Sequence, residues 1–203
     1  MNAREAYARL RNLGVPAVDT ADAAAALGQS TAAASMTLSR LVASGLVTSV
    51  RHGTWWIDGA IDPYRLPEYL TAPLPSYVSL QTALHVHGLI EQIPEVIYVA
   101  SLARSQRMTT RAGTFSIHHF APEVFGGFEE SAAGVKLATA EKALFDVAYL
   151  SAGRSRLFTT LPELELPRGF RRAELKRWLA RIPSERSRTI TERKLGELLG
   201  AAR

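Results

Sequence analysis

Apolar positions in residues 1–59 recur at helical spacing three times, then give way to short β-rich runs. In residues 2–13, Ala6, Tyr7, Leu10 and Leu13 share one helical face, and Gly14-Val15-Pro16 ends the element. Residues 20–27 are nearly all alanine, which gives high helix propensity and close packing. Thr20 is placed to cap this second helix, with Asp22 near its positive end. Gly28 suits a left-handed helix end, and Ser30 can cap a third helix over residues 31–44. Ala34, Leu38, Leu41 and Val42 point that helix at the core, and Gly45 stops it. Residues 46–50 and 54–57 then read as a hairpin with Arg51 and His52 at its tip. Trp55 and Trp56 are expected to divide between core and surface.

Residues 60–76 hold four prolines and read as a packed-down linker, because each proline removes a backbone donor. Beyond it, Ser79 can cap a helix over residues 80–87, closed by Gly88. Residues 97–101 and 114–120 read as strands, and residues 135–138 as a third. Residues 102–113, with Arg104, Arg107 and Arg111, form a basic loop or hairpin. Thr139 caps a helix to about residue 150 whose Leu144, Val147 and Ala148 turn inward. From residue 171 to 182, Leu175, Trp178, Leu179 and Ile182 follow the i, i+3, i+4, i+7 rule. Pro183 breaks that helix, and Ser184 can cap a last one with Ile190, Leu195, Leu198 and Leu199 on its apolar face.

The expected fold class is therefore α+β: an N-terminal winged helix-turn-helix, a mixed α/β domain and a basic helical C-terminal tail. The expected domains are 1–59, DNA-binding; 60–76, linker; and 77–203. In a winged helix-turn-helix the second helix of the motif enters the major groove. Its candidate DNA-facing residues are Ser30, Thr31, Ala32, Ser35, Ser39 and Arg40. Arg51 and His52 on the hairpin tip could reach a phosphate or a narrow minor groove. A helix-turn-helix shape also serves as a docking or dimerisation module, and the basic hairpin tip is what favours DNA.

Charge changes this picture. The chain of 203 residues carries a net charge of +5, unevenly spread. Residues 1–60 hold five Lys/Arg against four Asp/Glu, and residues 61–150 hold six against nine. Residues 151–203 hold 13 against six, so the positive potential concentrates in the tail. Arg171, Arg172, Lys176, Arg177 and Arg181 are candidate phosphate contacts, since basic patches attract polyanions without sequence preference. Hydrophobic content of 47% with 21% charge fits a globular chain able to bury a sizeable core. The chain has no cysteine, which excludes disulfides, thiolate metal sites and a catalytic Cys and fits a reducing compartment. The first residues lack the apolar core of a signal peptide, and no apolar run is long enough to span a membrane, so a cytoplasmic protein is expected.

Candidate chemistry is sparse. His85 and His87 are two apart, where a zinc-binding helix wants i and i+4, and His118 and His119 face opposite sides of a strand. No metal site or cofactor is expected. Glu141, Lys142 and Asp146 share one helix and read as a first-turn acid plus surface charges. There is no Gly-rich phosphate loop and no serine nucleophile elbow, so the chain is not expected to be an enzyme.

The segments YVSLQTALHVHGLIEQIP, IYVAS, TFSIHHF and ATAEKALFDVAYL, in that order after an N-terminal winged helix, resemble AbiEi-type antitoxins. The resemblance covers about residues 5–150 and is firmest over residues 77–150. The turn Thr110-Arg111-Ala112-Gly113 departs from the family's Pro- and aromatic-containing turn. The resemblance implies a type IV toxin–antitoxin role: repression of its own operon through the winged helix, and neutralisation of a nucleotidyltransferase-like toxin without a stable complex. On this reading the partners are double-stranded promoter DNA with repeated half-sites and the toxin as a functional partner, with no membrane. Repeated half-sites call for a dimer or cooperative occupancy, because each good base contact discriminates by only about 1–3 kcal/mol. The alternatives are a protein-binding antitoxin that contacts its toxin directly, or an enzyme acting on toxin or nucleic acid through Glu141 or Asp146.

Overall fold

The computed structural model describes residues 1–152 and 163–202. The chain is mixed α/β and divides into two compact units. The first comprises residues 1–70 and 109–113, and the second residues 71–108 and 114–203.

In the first unit, helix α1 (Ala3–Arg11) is followed by strand β1 (Ala17–Asp19), α2 (Thr20–Leu27), α3 (Thr31–Ala43), β2 (Thr48–Arg51) and β3 (Thr54–Trp56). The strands form an antiparallel sheet in the order β1-β3-β2. Strand β1 lies outside the sequence expectation: three residues are too few to show an alternating pattern. Its pairing turns the expected hairpin into a three-stranded sheet, with Val18 opposite Trp55. Ala6, Leu10, Ala23, Leu27, Ala34, Leu38, Leu41 and Ile57 are buried together. The alanines matter here because a methyl group lets neighbouring helix backbones approach closely.

Several local expectations are corrected. Asp19, not Thr20, caps α2: its carboxylate accepts from the Asp22 N–H at 2.7 Å. The Thr20 hydroxyl instead accepts from Trp55 Nε1 at 3.0 Å, tying the start of α2 to the hairpin. Trp55 and Trp56 are both buried, Trp56 under the edge of the Tyr69 ring and the Arg65 guanidinium. Leu13 lies beyond the end of α1 and is 42% exposed. The proline-rich stretch 60–76 is not only a linker: α4 (Leu66–Thr71) lies within it, and Leu66 and Leu70 are buried. Pro67 falls at the second helical position, where its missing N–H costs nothing.

The second unit holds β4 (Ser76–Val78), α5 (Leu80–Val86), β5 (Ile97–Ser101), β6 (Gln106–Thr110), β7 (Gly113–His119), β8 (Phe128–Glu130), β9 (Lys136–Ala138), α6 (Ala140–Ala152), α7 (Arg172–Ala180) and α8 (Glu185–Ala201). Its strands form a six-stranded mixed sheet in the order β6-β7-β5-β4-β9-β8. β5 runs parallel to β7, β4 parallel to β9, and β4 antiparallel to β5. The basic stretch after residue 101 therefore includes an edge strand, β6, while β4 and β8 are too short to be seen in the sequence. Helix α6 packs against α5, α7 and α8. Leu144, Val147 and Ala148 are buried, and so are Leu175 and Leu179 of α7, Leu195 of α8 and Ile182 between them.

Candidate nucleic-acid interface

The approach of α2 to α3 begins at Gly28, whose φ of 64° and ψ of 38° are the left-handed values that favour glycine. Its N–H reaches back to the Ala24 and Ala25 carbonyls, which closes α2 in one residue. Ser30 then caps α3, its hydroxyl accepting from the Ala33 N–H at 3.3 Å. Ala34, Thr37, Leu38 and Leu41 face the core. The opposite face carries Thr31, Ala32, Ser39 and Arg40, all exposed, and the half-buried Ser35.

Two properties of this face follow from its residues. No Asp or Glu occurs anywhere in α3, so nothing on the helix repels a phosphate. Its side chains are short, except for Arg40 and Met36. Met36 is 70% exposed and shares one stripe with residues 32 and 40; it is not among the DNA-facing residues expected from the sequence.

Arg40 does not extend freely. Its guanidinium donates to the Thr37 hydroxyl at 3.1 Å, and that hydroxyl donates to Gln29 Oε1 at 3.1 Å. The guanidinium is thereby held along α3, and the turn residue Gln29 is tied into the same chain of bonds. At the hairpin, Arg51 and His52 are both exposed, and Arg51 Nε donates to the Thr54 hydroxyl at 3.2 Å. Arg51 is thus steadied across the tip.

The tail residues are not equivalent. Arg177 pairs with Glu174 at 2.7 Å, and Arg171 lies 3.6 Å from Glu141. Arg181 sits over the Trp178 ring at 4.4 Å. Arg172 and Lys176 are exposed and make no ion pair among the described residues.

One cluster departs from the sequence expectation. Glu141, Lys142 and Asp146 are not surface charges: all three are buried, and Lys142 and Asp146 are 0% exposed. Lys142 Nζ pairs with Asp146 and also donates to the Tyr77 hydroxyl at 2.9 Å. The Tyr77 hydroxyl and the Ser79 hydroxyl donate to Asp146 Oδ2 at 3.1 and 2.7 Å. Ser79 therefore spends its hydroxyl on Asp146 and not on the start of α5. Burial pushes the Asp146 carboxyl up and the Lys142 ammonium down, each opposed by the charge of the other. The rings of Tyr77, Phe120, Phe145 and Trp178 surround the ammonium at 4.7 to 5.4 Å. Glu141 accepts from the Arg171 N–H at 2.8 Å. The sequence shows the spacing, Lys142 and Asp146 four apart in a mainly apolar helix, but that spacing fits a surface pair equally well.

Four of the five histidines are also spoken for. His85 and His87 meet the carbonyls of Ile90 and Ala138, at 3.3 and 2.7 Å. His119 Nδ1 lies 3.1 Å from the Leu102 carbonyl, and His118 Nε2 lies 3.0 Å from the Ser116 hydroxyl. Among the described residues, no three His, Asp or Glu side chains come together in a way that could hold a metal ion. No helix among them is long and apolar enough to cross a membrane.

In comparison with known proteins, no family model matches the chain, and no curated protein matches it.

Proposed function

We propose that the chain is a DNA-binding transcriptional autorepressor whose first unit works as a winged helix-turn-helix. The observation that carries this reading is the exposed face of α3, which has no acid and presents Thr31, Ala32, Ser35, Met36, Ser39 and Arg40. The hairpin tip with Arg51 and His52 supports it as a wing. In this reading α3 enters the major groove, Arg40 and Met36 read base edges, and Arg51 and His52 reach the backbone or minor groove. Ser30, at the start of α3, places its helix N-terminus toward a phosphate. Arg172 and Lys176 add non-specific attraction.

The antitoxin role rests on the resemblance of residues 77–150 to AbiEi-type antitoxins. There the chain counters a nucleotidyltransferase-like toxin in the cytoplasm, and repeated half-sites are occupied by a dimer or cooperatively.

The test is fluorescence anisotropy of the purified protein on its own upstream DNA and on scrambled DNA, across a salt series. The expected result is at least tenfold tighter binding to the upstream DNA at about 0.15 M salt. Equal, steeply salt-sensitive binding to both sequences would overturn the repressor reading. Co-expression with the neighbouring toxin tests the second role: growth should recover without a co-purifying complex, and a stable complex would favour direct contact instead.

A further inference from the structure

A cavity of about 600 Å³ opens within the second unit, walled by β6, β7, α6 and α8. That volume lies in the range of small-molecule sites, roughly 300–1,000 Å³. Its walls differ in character. Tyr149 and Leu150 of α6 present an aromatic ring and an aliphatic chain. Arg107 of β6, Ser116 and His118 of β7 and Ser187 of α8 supply polar lining.

The polar lining is built to receive negative charge. Ser116 and His118 are two apart on one strand and so share a face. His118 is only 8% exposed, and burial pushes its imidazole down, which keeps the ring neutral near neutral pH. Among the described residues, Arg107 is therefore the one charged side chain on the wall, and no carboxylate lines the cavity. Arg107 makes no ion pair among those residues, so its charge is not already spent. Ser187 lies in the first turn of α8, a helix of 17 residues whose N-cap is Ser184. The Ser187 N–H is spent on the Ser184 hydroxyl at 3.3 Å, so what Ser187 offers the cavity is its own hydroxyl.

We propose that this cavity binds a small molecule with one oxyanion group, a carboxylate or a phosphate, on an aromatic or aliphatic body. Arg107 holds the oxyanion, the hydroxyls of Ser116 and Ser187 supply hydrogen bonds, with His118 Nε2 steadying Ser116 at 3.0 Å, and Tyr149 and Leu150 cover the body. The assignment is independent of DNA binding: it concerns the second unit alone and stands or falls on its own ligand.

The test titrates the full-length, isotopically labelled protein with phenyl phosphate, benzoate and benzyl alcohol, followed by amide chemical shifts. Saturable shifts are expected at Arg107, Ser116, His118 and Ser187 with at least one of the two anions. The tighter anion identifies the oxyanion as phosphate or carboxylate. Benzyl alcohol should bind at least tenfold more weakly, and Arg107→Gln should weaken the anion at least tenfold. Ser187→Ala, a smaller change, should also weaken it. Arg9→Gln, in the first unit, should leave binding as it was. The proposal is overturned if no anion gives saturable shifts up to about 20 mM, a concentration past any useful affinity for such a fragment. It is equally overturned if benzyl alcohol binds as well as the anions, if the shifts map elsewhere, or if Arg107→Gln binds as the wild type does.

Discussion

Replacing Lys142 with Met leaves the Asp146 carboxylate at zero exposure with only the Tyr77 and Ser79 hydroxyls to answer its charge. Met fills nearly the volume of the lysine stem, so the change tests the charge and not a cavity. Removing one partner of a buried ion pair costs about 3–5 kcal/mol, because the other charge is stranded in a low dielectric. The four rings around the ammonium place the cost toward the upper end, since a desolvated cation–π interaction contributes about 2 kcal/mol. Asp146→Leu should cost a similar amount. The double variant Lys142→Met with Asp146→Leu should cost less than either single change, because no stranded charge remains. Guanidinium unfolding followed by fluorescence and circular dichroism measures all three midpoints. Because the chain has two units and Trp55 and Trp56 fluoresce from the first, amide exchange at α6 identifies which transition bears on this cluster. Single variants each costing under about 1 kcal/mol, or a double variant equal to their sum, would refute the reasoning.

Gly127 has a φ of 73°, and a Cβ there would meet the Trp178 ring and lie 2.9 Å from Lys142 Cγ. Gly127→Ala should therefore destabilise the second unit by about 2–4 kcal/mol, read from the same midpoints. Burial holds the His118 imidazole below its ordinary value of 6.5, so on acidification the unfolded chain takes up the proton first. Its contribution is fully present above pH 6.5 and is lost as pH falls through the lowered folded value; urea midpoints should drop over that window, and His118→Gln should flatten the drop. Arg40→Ala should weaken upstream DNA binding about fivefold or more in anisotropy, whereas unchanged affinity would remove Arg40 from the interface. Arg172→Glu with Lys176→Glu should weaken binding to upstream and scrambled DNA alike and reduce the log–log salt slope by about 0.9 for each phosphate no longer neutralised; an unchanged slope would assign these residues elsewhere.

Long elements with strong periodicity are legible in the sequence. The faces of α3 and α7 follow directly from Ala34, Leu38 and Leu41, and from Leu175 and Leu179, because 3.6-residue spacing has few competing readings, although α7 ends at Ala180, before the Ile182 that continues its pattern. The strands β1, β4 and β8 are not, since three residues carry no period and their pairing is set by distant partners. The site shows the same divide. Residues on the surface of α3 can be placed from helix geometry alone. The burial of Lys142 and Asp146 cannot, because it depends on Tyr77 and Ser79, more than 60 residues earlier. The wall of the cavity joins residues 107, 116, 149 and 187, which no local pattern connects.

The sealed position of Lys142 turns the chain's four lysines into a timing device. Lys136, Lys176 and Lys194 reach solvent to varying degrees, whereas Lys142 has no accessible surface at all. An amine-reactive reagent should consume the first three at chemical rates and Lys142 only when the second unit opens. Mass spectrometry of Lys142 labelling then reads the opening of that unit under native conditions and without denaturant, as a rate when the reagent outpaces reclosing.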